Sequence, residues 1–80
     1  MIGVHPERLV ATLQDVRLEG EVWLDFSAVD RIDTRGAEAI AELADRADMA
    51  SAKVHFRGVN VNLHKVLKLM DMGRRFTFTS

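Results

Sequence analysis

The chain is expected to adopt an α/β fold built on a mainly parallel sheet. Three observations point there: short β-rich runs at residues 21–26, 53–57 and 76–79; helical apolar stripes before and between them; and glycine or asparagine at the joins. Alternation of helix and strand favours parallel strands joined by right-handed crossovers.

The first helix is expected over residues 5–17. Pro6 suits a first helical position, and Leu9, Val10, Leu13 and Val16 recur on one face. Gly20 breaks it, and Glu21-Val22-Trp23-Leu24-Asp25-Phe26 is short and bulky enough for a mostly buried strand. Residues 27–32 lead into a second helix that starts at Asp33 or Thr34, both good N-caps, and runs to about Met49. Its expected stripe is Ala37, Ile40, Ala41, Ala44 and Ala47, small side chains that let a helix lie close to what it covers. Lys53-Val54-His55-Phe56-Arg57 alternates polar and apolar residues as a half-buried strand does, and Gly58 ends it. His55 is expected on the solvent side of that strand. Asn60 or Asn62 can cap a third helix carrying Leu63, Val66, Leu67 and Met70, closed by Gly73, with a last strand at residues 76–79.

Eighty residues make a single domain, 1–80, and a core of that size leaves a thin margin of stability. With 48% hydrophobic and 29% charged residues, the chain is too apolar to stay disordered. A formal charge of −1 without like-charge runs offers no footprint for nucleic acid or an anionic membrane. No apolar stretch approaches the roughly 20 residues of a membrane span, so any membrane role is expected to come through a partner. The absence of cysteine excludes disulfides, thiolate metal sites and a cysteine nucleophile, and fits a cytoplasmic address.

Sites in parallel sheets gather at the carboxyl ends of strands, which directs attention to the turn after Phe26. Asp25, Asp30 and Asp33 lie there and resemble a metal-binding acidic cluster or a phosphorylated-aspartate pocket. This leaves a phosphoryl-accepting or metal-dependent enzyme using Asp25 or Asp30 as a third reading, but the later strand ends bring Arg57-Gly58 and Thr79 rather than further acids and a lysine. Capping and solvation account for Asp30 and Asp33 without a metal. His5, His55 and His64 share no ligand spacing, and Ser27 and Ser51 have no glycine elbow or adjacent base, so neither a metal, a cofactor nor catalysis is expected. Thr34 stands at the first turn of a helix, where free N–H groups, the helix dipole, Arg31 and Arg35 would all favour a phosphate. The chemistry leaves two readings of Thr34 open, a simple cap or a modified hydroxyl.

The run Leu24-Asp25-Phe26-Ser27-Ala28-Val29-Asp30-Arg31-Ile32-Asp33-Thr34-Arg35-Gly36 resembles the signature of STAS domains, named for sulfate transporters and anti-sigma-factor antagonists. In that signature a buried Leu-Asp-Leu-Ser-like strand leads to Asp-Ser/Thr-x-Gly. The alanine-rich helix, Arg57-Gly58-Val59 and the helix from Asn60 to Met70 also fall where the family places them. The resemblance implies a non-enzymatic interaction module that regulates a partner through Asp33, Thr34, Arg35, Gly36, Glu38 and Glu42. In anti-sigma-factor antagonists, the hydroxyl residue after the motif aspartate, here Thr34, is phosphorylated by a partner kinase. In the small STAS subunits of Mla-type phospholipid-transport ABC complexes the same position belongs to the surface that docks on the ATPase. Asp-Thr-x-Gly with Arg57-Gly58-Val59-Asn60 is more similar to the second group. Arg35 also stands where many antagonists carry a small residue, a bulk that opposes the close approach of a kinase. The family opens with one or two strands, whereas this chain reaches helical sequence near Pro6. A fold lacking the usual N-terminal strands is therefore expected, with a sheet edge or face left uncovered and a tendency to form homodimers.

Overall fold

The computed structural model describes residues 1–79. Four strands form one sheet in the order β1-β2-β3-β4, with β1 at Ile2–Gly3, β2 at Glu21–Asp25, β3 at Lys53–Arg57 and β4 at Thr77–Thr79. Every neighbouring pair is parallel, as the alternation predicts. Three α-helices connect them: α1 at Leu9–Asp15, α2 at Thr34–Ala50 and α3 at Val61–Leu69. The sequence offered no strand before Pro6, yet Ile2 and Gly3 pair with Leu24 and Asp25. A two-residue strand has no side-chain period to read, so only the pairing reveals it.

Parallel strands laid down in sequential order, with crossovers of one hand, bring every connecting helix to the same face of the sheet. Burial follows that rule. Val22, Leu24, Val54 and Phe56 turn toward the helices and are buried, whereas Glu21, Trp23, Lys53 and Arg57 turn away and are exposed. Phe56 is the centre of the core, stacked between Phe26 and Phe76 at centroid distances of 4.5 and 4.4 Å and meeting Phe78 edge-on at 5.6 Å. Burying such a side chain contributes about 1.5–3 kcal/mol.

The helix ends follow local chemistry. Pro6 opens a 3-10 turn, Pro6–Arg8, that leads into α1, so the first helix begins as a tighter coil and stops two residues short of Arg17. The Arg46 guanidinium of α2 donates to the carbonyls of Leu13 at 2.8 Å and Val16 at 3.0 Å, satisfying the otherwise unpaired end of α1. In α2, Gly36, Ala39, Ile40, Leu43, Ala44 and Ala47 are buried. The expected alanine stripe is thus rotated: Ala39 and Leu43 join Ile40, Ala44 and Ala47 in it, and Ala37 and Ala41 fall to its half-buried flank. The segment after α3 is tied back by Arg75, which donates to Asp45 at 3.0 Å and to Asp48. Those bonds, Asp48 first, raise the Arg75 pKa above its ordinary value.

His55 departs from expectation. It lies on the side of the sheet away from the helices, but it is only 8% exposed. Its ring stacks on Trp23 at 4.2 Å and its Nε2 lies 2.9 Å from Glu21 Oε1. The aromatic neighbour on β2 shields it, an effect that alternation along one strand cannot show.

Candidate functional site

The carboxyl ends of β2 and β3 bring two turns together. Phe26 donates its N–H to the carbonyl of Arg57 at 2.7 Å, carrying the ladder one residue beyond the strands. Gly58 follows with φ +75°, and a Cβ there would lie 2.9 Å from Ser27 Cβ. Glycine is therefore required twice, by backbone conformation and by the approach of the Ser27 turn. Asp25 holds the near side of this turn by accepting from Ser27 N at 2.9 Å. Hydrogen bonding from the Ser27 backbone, then from its side chain, holds the Asp25 carboxyl below its ordinary pKa, and the charges of Arg57 and His5 act in the same direction.

Asn60 fixes the far side. Its Oδ1 accepts from Leu63 N at 2.7 Å, making it the N-cap of α3, while its Nδ2 donates to the carbonyl of Asp30 at 2.8 Å. One side chain thus joins the start of α3 to the turn that feeds α2. Of the two cap candidates, Asn60 takes the role. Its second bond could not be read from the sequence, because the partner lies thirty residues away.

Asp33 is the N-cap of α2, with extended φ/ψ and Oδ1 accepting from Gly36 N at 2.8 Å. Thr34 is the first helical residue and is exposed, and its hydroxyl makes no hydrogen bond among the described residues. The cap reading therefore belongs to Asp33 and leaves the Thr34 hydroxyl available. Arg35, Glu38 and Glu42 are exposed and recur at helical spacing down one side of α2, beside Thr34. Gly36 is different: it is buried, and a Cβ there would lie 3.2 Å from Ile32 Cβ and 3.4 Å from Leu9 Cδ2. It lets the first turn of α2 sit against α1. Between the two helices runs an open groove lined by Glu7, Val10, Gln14, Arg31, Ile32 and Arg35, continuous with Asp33.

The three aspartates do not converge as ligands of one centre. Asp25 is engaged with Ser27, Asp33 with Gly36, and Asp30 takes part through its carbonyl. Among the described residues no group of three acidic or histidine side chains is placed to hold a metal ion. No helix of the described residues is long and apolar enough to cross a membrane. The arrangement presents an exposed hydroxyl, two arginines and two carboxylates on a braced helix start, a surface suited to recognition by another macromolecule. A sequence model of one protein family, the STAS domain, matches residues 6–80. No curated protein and no solved structure matches the chain.

Proposed function

The chain belongs to the STAS domain family, and from that premise we propose that it docks on a protein partner through Thr34, Arg35, Glu38 and Glu42. STAS domains are generally non-enzymatic and mediate protein–protein interactions, and this one regulates its partner by binding it. The observation that carries the reading is the division of labour between Asp33 and Thr34. Because Asp33 caps α2, the Thr34 hydroxyl is exposed and, among the described residues, unbonded at the head of the acidic stripe. The favoured partner is the ATPase of an ABC lipid transporter, on the similarity of Asp33-Thr34-Arg35-Gly36 and Arg57-Gly58-Val59-Asn60 to the small STAS subunits of such complexes. The protein then works in the cytoplasm and meets the membrane only through that partner.

A second reading rests on the same hydroxyl. A phosphate on Thr34 would sit at the positive end of α2, with Arg31 and Arg35 close to it in sequence, so an anti-sigma-factor antagonist switched by a kinase is chemically supported. Glu38, one turn below, opposes it. Calorimetric titration against a candidate ATPase and a candidate anti-sigma kinase separates the two. The transporter reading predicts that Glu38→Lys with Glu42→Lys weakens ATPase binding and that the kinase leaves Thr34 unmodified. Kinase- and ATP-dependent addition of phosphate to Thr34, seen by mass spectrometry, supports the switch instead.

A further inference from the structure

The face of the sheet turned away from the helices carries a charge pattern that the docking surface does not use. On β2 it presents Glu21, Trp23 and Asp25, and on β3 Lys53, His55 and Arg57, paired Glu21 with Lys53, Trp23 with His55 and Asp25 with Arg57. One strand is acidic at both ends, its neighbour is basic at both ends, and an aromatic pair lies between. Trp23 is 38% exposed although it is the chain's only tryptophan. Lys53 and Arg57 form no salt bridge among the described residues.

We propose that this face is a homodimer interface, in which β2 of one copy lies across β3 of a second copy. A two-fold axis running parallel to the strands, midway between β2 and β3, keeps the register. It sets Glu21 opposite Lys53 of the second copy, Trp23 opposite His55 and Asp25 opposite Arg57. Sheets packed face to face lie about 10 Å apart, a gap that Lys, Arg and Glu side chains reach across. The other face-to-face two-fold, perpendicular to the strands, would set Glu21 against Asp25 and Lys53 against Arg57. Like charges disfavour that arrangement, so electrostatics selects both the second copy and its orientation. The acidic and basic pairs on this face cancel, so two copies approach without net repulsion.

The face is small, and the contact belongs to the range below about 1,200 Å² counted over both partners, where transient complexes lie. Self-association is correspondingly weak. It leaves α2 and its docking stripe on the far side, available to another partner.

Sedimentation equilibrium of the full chain tests the proposal. Wild type is expected to show a reversible monomer–dimer equilibrium. Glu21→Lys with Asp25→Lys, and separately Lys53→Glu with Arg57→Glu, should each weaken it by about tenfold or more through like-charge contact. Combining all four substitutions exchanges the acidic and basic strands, and should restore the dimer. A strictly monomeric wild type, a dimer indifferent to either double substitution, or a folded fourfold variant that stays monomeric would each overturn the interface. Should a double variant fail to fold, an NMR dilution series of wild type decides. Shifts centred on the Trp23 indole and the amides of β2 and β3 support the face. Shifts confined to the β4 edge or to the helices contradict it.

Discussion

The Asn60 side chain donates to the carbonyl of Asp30 at 2.8 Å and, through its oxygen, caps α3. The turn that leads into Thr34 is thereby held by an element that follows it in sequence. Asn60→Ala removes the cap and leaves the Asp30 carbonyl without its partner, so a loss of about 1–2 kcal/mol is expected by urea denaturation. Faster amide exchange in residues 28–32 should accompany it. Unchanged exchange in that turn would show that Asn60 serves α3 alone.

Gly58→Ala should be more damaging. The φ of +75° opposes any side chain, and the new Cβ would press on Ser27 Cβ at 2.9 Å. The expected cost is about 1–3 kcal/mol, read as a lower thermal midpoint. A midpoint equal to wild type would mean that the Ser27 turn yields without penalty.

Gly36→Ala sets two terms against each other. Alanine raises helix propensity by about 1 kcal/mol, while crowding against Ile32 and Leu9 costs about 1–3 kcal/mol. A net loss of about 1 kcal/mol is expected, together with chemical-shift changes in α1. A clear gain in stability would show that Leu9 and Ile32 move aside freely.

Asp25 makes stability depend on acid. Its pKa is lowered in the folded chain, so its contribution is present above the ordinary aspartate range near 4 and is lost as pH falls below it through the native value. Asparagine keeps an oxygen that can accept from Ser27 N–H but cannot titrate. Asp25→Asn should therefore flatten the fall in stability below about pH 4. Superimposable pH profiles for the two proteins would contradict this.

Much of the framework was legible in the sequence because each element carries its own period. The strand at residues 21–25 declares itself by a short bulky run, the one at 53–57 by alternation, and α2 and the Asn60-capped α3 by helical spacing and caps. β2 is not mostly buried as expected, because the face of the sheet that carries Glu21 and Trp23 has no helix over it. The Asp33-Thr34-Arg35-Gly36 turn was found because the strand order places it at a carboxyl end. The features that no single segment carries are relational. Ile2–Gly3 is a strand only through its pairing with β2, and His55 is buried only because Trp23 stands beside it on another strand. Arg46 reads as one more surface charge on α2 until the end of α1 is seen beside it. The division between Asp33 as cap and Thr34 as first helical residue needed backbone geometry, since either residue can cap.

The Thr34 hydroxyl is the centre of the proposed docking surface. Because Asp33 supplies the cap, Thr34→Ala should fold like wild type, which circular dichroism can verify. Titration of this variant against the candidate transporter ATPase then isolates the hydroxyl's part in docking. The expected result is a loss of about 0.5–1.5 kcal/mol, roughly twofold to twelvefold in Kd, as for one hydrogen bond removed. Wild-type affinity for that ATPase, with the variant folded, would contradict the assignment of this helix start as the docking surface.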